Sequence, residues 1–253
     1  VFWMTLGGFF GMTMKFAECT LAQMYRHTNP DGSISGGAMY YLEKGLKEYG
    51  PAIGGFGKVL AVLFAFLVMV SSIGIGNMFQ SNQSFESLAY SFNLDTDKPI
   101  YPVIYGLVMA VVVGVVIIGG IKRIGAATSR IVPIMAGIYV LAALVIILLH
   151  ITELPGAIAK IIRLAFSNEA VAGGFVGILI WGIKRSTFSN EAGLGSAPIA
   201  HSAARTKEPV REGIVALMEP FIDTILICNM TALVIVLTGV LDDPVLVEEA
   251  AGR

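Results

Sequence analysis

Charge is what this chain has least of. Only 14% of its 253 residues are Asp, Glu, Lys or Arg, against 55% hydrophobic. The mean hydropathy is +0.77. A soluble domain carries roughly 25% charged residues, so this chain lacks the means to cover a water-facing surface. A multi-pass membrane protein is the class that remains. Cysteine is equally scarce. Cys19 and Cys228 both fall in apolar stretches, which excludes a disulfide framework. With three histidines there is no Cys/His cluster at metal-ligand spacing, and neither a Walker loop, a G-x-S-x-G elbow nor an H-E-x-x-H pair is present. The net charge of −1 excludes an electrostatic footprint for nucleic acid. The first residues, VFWMTLGG, lack the basic leader and cleavage site of a signal peptide. They open in mid-hydrophobic sequence without Met, which reads as part of a longer protein.

What is present is a series of long uncharged runs. A spanning helix needs about 20 predominantly apolar residues. Residues 59–85, 100–121, 131–151 and 213–240 supply four spans, the last uncharged only from Thr224 on, and 1–24 a fifth, despite Lys15 and Glu18 in its second half. A shorter run starting at 170 is apolar but stops too soon to cross alone. About six transmembrane segments are thus expected, in an all-α fold. Twelve Lys and Arg residues lie in the connections after the first, third and fifth segments, against four in those after the second, fourth and sixth. By the positive-inside rule the first set of connections is cytoplasmic. Residues 36–50, after the turn signal NPDGS, read as a short interfacial helix, and 154–166 as an amphipathic one on the outer side.

Two polar interruptions stand out. In the second segment, SSIGIGNMFQSNQS puts Ser72, Gly76, Gln80 and Gln83 near helical spacing, with Asn77, Gln80 and Ser84 beside them. Uncharged polar groups inside a membrane face a cavity or a neighbouring helix. In the fifth, STFSNEAGLGSAPIAH follows the apolar run directly. Gly193, Gly195 and Pro198 weaken a helix, so this stretch is either a cytoplasmic loop or a break inside the bilayer. Exposed backbone is not tolerated in lipid, and such breaks line cavities. There, half-helix N–H groups meet a carboxylate and freed carbonyls hold a cation. Lys15 and Glu18, one turn apart, are a possible pair. Glu219 and Asp223 are i, i+4 and of like charge, which favours a shared cation, a nearby Arg or one protonated member. A channel would need a ring of carbonyls or charges, and no such repeat is visible. For a membrane enzyme, Ser189 with His201 is the only conceivable nucleophile–base pair.

The run FSNEAGLGSAPIAHSAARTKEPVREG, followed by ALMEPFIDTILICNMTALVIVLTG, resembles the signature region of the alanine or glycine:cation symporter family. YRHTNPDGSISGGAMYYLEKGL, SIGIGNMFQSNQ and GGIKRI resemble its earlier parts, in the same order. The resemblance implies a secondary transporter rather than an enzyme. It implies Na+-coupled, sometimes H+-coupled, symport of small neutral amino acids such as alanine or glycine, in the plasma membrane. It implies a LeuT-type bundle of two inverted repeats, with residues 1–166 in the first and 167–253 opening the second with a discontinuous helix. On this resemblance Gly74, Gly76, Asn77 and Gln80 line one wall of the amino-acid site, and Phe188, Ser189, Asn190 and Gly193 the other. Phe188 then packs on the substrate side chain. No residue is implied for the cation beyond these, and much of that site is expected on parts outside this chain. The segment alone is expected not to transport.

Overall fold

A computed structural model describes residues 1–94, 98–167 and 174–240. Among these the structure is helical apart from one two-strand hairpin. Helix α1 (Phe2–Tyr25) is followed by β1 (His27–Thr28) and β2 (Ile34–Ser35), paired antiparallel around the NPDGS turn. Asp31 closes that turn, its carboxylate accepting the backbone N–H and hydroxyl of Ser33 at 2.9 and 2.6 Å. These bonds hold its pKa below the usual carboxylate value. Next come α2 (Ala38–Lys47), the interfacial helix expected from 36–50, and α3 (Pro51–Ile73). A π-helical turn, π1 (Gly74–Met78), leads into α4 (Phe79–Phe92). The chain continues through α5 (Ile100–Ile117), α6 (Gly120–Leu149) and the amphipathic α7 (Leu154–Ala165). The remaining elements are α8 (Gly174–Asn190), α9 (Ala197–His201), α10 (Pro209–Pro220), a second π-helical stretch π2 (Phe221–Ile227), and α11 (Cys228–Leu237).

Among the described residues, four continuous helical stretches are long and apolar enough to cross a membrane: Pro51–Phe92, Ile100–Ile117, Gly120–Leu149 and Pro209–Leu237. Three of them start earlier than the apolar runs do. The second expected segment began at 59, but α3 starts at Pro51, where proline suits a first helical turn. The fourth was expected from 131, with Lys122, Arg123 and Arg130 in a connection. Instead α6 begins at Gly120 and carries all three within the helix. Charge ends an apolar run but does not end a helix, because Lys and Arg are good helix formers. The last stretch likewise starts at Pro209 rather than 213. The expected start of the fifth segment, residue 170, lies outside the described residues.

The centre of the structure is α1. It packs most extensively against α10 and α8, then against α9, α2 and π2, and more lightly against α7. That is why α1, the least uniformly apolar of the long helices, buries Lys15, Glu18 and Gln23. By contrast α5 buries none of its residues, and the large apolar side chains of α3, α5 and α6 point outward. Such faces suit lipid or further transmembrane helices.

The chain leaves helical geometry after Asn190. Glu191, Gly193 and Gly195 all take positive φ, at 53, 80 and 76°. Pro198 does not cause the break. It sits in the first turn of α9 and starts that helix. Gly195 is buried, and a Cβ there would lie 2.6 Å from Cζ of Phe64 on α3. At Gly193 an added Cβ would meet only the tip of Met14, at 3.3 Å. Both glycines to alanine pay about 1–2 kcal/mol for the left-handed backbone. Gly195→Ala must in addition displace an aromatic ring. Thermal unfolding of the detergent-purified complete protein should therefore show a clearly larger loss of Tm for Gly195→Ala than for Gly193→Ala.

Candidate functional site

The site grows from a close approach of α1 and α8. Gly7 and Gly11, one turn apart on α1, leave no side chain in the way. A Cβ on Gly7 would lie 2.8 Å from Cβ of Ser186, and one on Gly11 would lie 2.9 Å from Nδ2 of Asn190. This is the small-xxx-small packing familiar in membranes. It brings Asn190 into the interior, 1% exposed. Its amide is fully engaged: Nδ2 donates to Ser186 Oγ at 3.3 Å and to Thr224 Oγ1 at 3.1 Å, and Oδ1 accepts from Ala192 N at 3.0 Å. Asn190 thus closes the turn that follows α8 and ties the end of that helix to π2.

The carbonyl of Asn190 is one of the orphan acceptors that end a helix. It accepts from Lys15 Nζ at 2.6 Å. Lys15 is 1% exposed and makes a salt bridge with Glu219 Oε2 on α10 at 2.8 Å. The expected i, i+3 partner, Glu18, takes a different role: its Oε1 accepts from Gly193 N at 3.4 Å. The reason lies in the packing. With α8 and α10 both against α1, the ammonium reaches a helix C-terminus and a carboxylate together, and positive charge is favoured at that helix end.

The second carboxylate of the i, i+4 pair is placed differently. Asp223, on π2, accepts hydrogen bonds from the hydroxyls of Ser189 and, at 3.3 Å, Thr224. Ser189 Oγ also lies 3.2 Å from Cys228 Sγ. Among the described residues Asp223 makes no ion pair. A cavity of about 770 Å³ between α6 and α10–π2 reaches both carboxylates and is lined by Met135, Tyr139, His201 and Ile222 among others.

The other expected wall stands apart. Gly74, Gly76 and Asn77 lie in π1, and Gln80 follows in the first turn of α4. π-helical turns recur at functional sites. Asn77 and Gln80 line a groove of about 790 Å³ between α4 and α5, with Ser81, Tyr105 and Met109. The structure therefore gathers Phe188, Ser189, Asn190 and Gly193 in one place and Gly74, Gly76, Asn77 and Gln80 in another. A ring contact links the two: Phe79, at the start of α4, meets Phe188 edge to face at 5.3 Å. Ser189 and His201 do not form a catalytic pair, since His201 Nδ1 is 2.6 Å from Glu212 Oε1 while Ser189 is on Asp223. The half-helix after the break is a five-residue turn, too short to develop much of the dipole expected of it.

Sequence reasoning missed Thr224, Cys228, Gly11 and Phe79. Gly7 and Gly11 carried a readable signal in their spacing. Thr224 and Cys228 carried none beyond adjacency to Asp223. Behind the break, Arg26 holds the segment after α9 through the carbonyls of Ser202, Ala204 and Thr206 at 3.0, 2.6 and 3.1 Å. Burial, with Glu18 nearby, pushes the Tyr41 phenol of α2 up to about 12, so it stays protonated.

Residues 1–252 match the sodium:alanine symporter family. Among similar proteins, the sodium/alanine symporter AgcS of Methanococcus maripaludis is 45% identical over 94% of this chain and 51% of its own length. The amino-acid carrier protein AlsT of Bacillus subtilis is 38% identical over 95% and 48%. The probable sodium/glutamine symporter GlnT of the same organism is 36% identical over 96% and 48%. The chain spans about half the length of the curated relatives it matches.

If Lys15 clamps the break through Glu219, removing the ammonium alone leaves a carboxylate without its counter-charge. Lys15 is buried at 1% exposure while the Glu219 side chain is 44% exposed, and a carboxylate left without its cation inside a membrane span is costly. Lys15→Met should lower Tm more than the double variant Lys15→Met/Glu219→Gln, in a thermal scan of the purified complete protein. Equal losses would show that the pair is not coupled.

Proposed function

The chain belongs to the sodium:alanine symporter family, a family of transporters and not of enzymes, and from that premise we propose that it belongs to a Na+-coupled importer of small neutral amino acids. Alanine is the expected substrate and glycine a second, with Na+ as the coupling ion and H+ as the alternative. The observation that carries this reading is the interruption of helix after Asn190, where Glu191, Gly193 and Gly195 take positive φ and the Asn190 side chain holds the turn through Ala192 N. Discontinuous helices at the membrane midplane are how many secondary transporters bind substrate. In this reading α1 and the α8–break–α9 unit join the four long apolar stretches as spans, making six. Residues 1–166 complete a first repeat and 167–253 open a second, inverted one, of LeuT type. The protein sits in the plasma membrane, with the connections after the first, third and fifth segments in the cytoplasm. Activity belongs to the complete transporter, of which the relatives are twice this length.

Within the site, the two walls close on the substrate from opposite sides. Gly74, Gly76, Asn77 and Gln80 form one and Phe188, Ser189, Asn190 and Gly193 the other, and the Phe79–Phe188 contact lies between them. Asn190 has its amide committed to protein partners, so its part is to hold the break in shape. Phe188 is 40% exposed and is the group available to pack on a small side chain. Truncating it should weaken alanine binding and relax the size limit.

The test uses the complete protein in proteoliposomes with labelled alanine. An inward Na+ gradient should drive accumulation, and replacing Na+ by K+ at matched pH should abolish it. Phe188→Ala should raise the KM for alanine about tenfold, roughly 1.4 kcal/mol of lost contact, and increase the relative uptake of a larger amino acid such as glutamine. Absence of gradient-driven uptake of any small amino acid would overturn the reading.

A further inference from the structure

Two carboxylates one helical turn apart, Glu219 and Asp223, face the same cavity, and the structure treats them differently. Glu219 already has a cation, the ammonium of Lys15 at 2.8 Å. That ammonium is firmly placed. It is also held by the Asn190 carbonyl at 2.6 Å, and its side chain is 1% exposed. Asp223 has only hydroxyl donors, from Ser189 and Thr224, and no ion pair among the described residues. An anionic carboxylate within a membrane span is costly unless something positive joins it.

We propose that Asp223, with the hydroxyl oxygens of Ser189 and Thr224, binds the mobile sodium ion, while Lys15 permanently neutralises Glu219. This deepens the symporter reading above and rests on it. The ligand set is all hard oxygen, which suits a small alkali cation rather than a soft metal. The positions are linked to the break by a continuous chain of contacts. Asn190 Nδ2 donates to Thr224 Oγ1 at 3.1 Å, Thr224 Oγ1 is 3.3 Å from Asp223 Oδ2, and Asp223 accepts from Ser189, the neighbour of Asn190. A cation pulling on Asp223 therefore acts directly on the last turn of α8, which is the wall assigned to the amino acid. This chain of contacts couples the ion to the substrate, because each stabilises the same arrangement of the break. Access is through the cavity between α6 and π2, past Tyr139 and Met135.

Several ionisable groups surround the site. Glu219 is on the adjoining helix α10, Lys15 comes from α1 and Cys228 from α11. Tyr139 and His201 line the cavity, the former bonded to Thr231 and the latter to Glu212. His201, at the far end, has its own carboxylate, so Asp223 is the one acid among the cavity-lining residues whose partners are all neutral.

The experiment measures sodium affinity directly in the purified complete protein. Thermal stability is titrated with NaCl at constant ionic strength, choline chloride making up the balance, with and without alanine, at two pH values. Wild type should gain Tm with sodium, and alanine should lower the sodium concentration for half effect. Asp223→Asn should abolish the sodium-dependent gain. Asp223→Glu, which keeps the charge, should retain it with a half-effect concentration raised at least threefold. Ser189→Ala should raise that concentration at least threefold while leaving the pH dependence unchanged. Sodium titrations of Asp223→Asn that match wild type would overturn the proposal. So would loss of a pH dependence with the sodium response intact, which would make Asp223 a proton carrier. Should Asp223→Asn not fold, unchanged sodium responses in both Ser189→Ala and Asp223→Glu would overturn it equally. Failure of the symporter reading itself is separate: there, wild type would show no gradient-driven uptake of alanine or any other small amino acid.

Discussion

The buried ammonium of Lys15 is the contact on which the interior depends. It sits on the central helix and reaches two others at once, through the Asn190 carbonyl of α8 and the Glu219 carboxylate of α10. Alone, any of the three groups would be costly to bury: a carbonyl without a donor, or a charge without its opposite. Together they satisfy one another. The consequence is positional. The end of α8 cannot drift from α1 without exposing an ammonium, and α10 cannot slide without losing its counter-charge. Gly7 and Gly11 make this geometry possible by letting α8 come close enough.

An unwound stretch inside a membrane protein needs partners for every polar backbone group. The structure provides several of them around residues 191–196. The Asn190 side chain accepts from Ala192 N, Glu18 accepts from Gly193 N, and Leu194 N bonds to the Glu191 carbonyl. Ser196 donates to Glu191 at 2.5 Å. The break is therefore a defined conformation, held by side chains from α1 and by its own turns. π2 supplies the facing surface. It follows Pro220 and carries Asp223 and the buried Thr224.

Much of this was readable from residues alone. The scarcity of charge gave the class, and the apolar runs gave the four long spans. The glycines at 193 and 195 marked the break because they are the residues that tolerate the left-handed backbone found there. The starts of α3 and α6 were misread because the end of an apolar run was taken as the end of a helix. The pairing of Lys15 was not legible either. Sequence spacing offered Glu18, whereas the choice of Glu219 depends on α10 lying along α1, which no local pattern encodes. For the same reason the two walls of the site were legible as polar interruptions, but their separation, bridged by Phe79 against Phe188, was not.

The transport reading requires that the amino acid be held at the break after Asn190. The most direct measurement is a structure of the complete protein determined with alanine and sodium present. Alanine should lie against Phe188, with its polar ends on the backbone between 189 and 193 and on the 74–80 wall. Alanine bound elsewhere, with residues 188–196 packed as they are here, would contradict it.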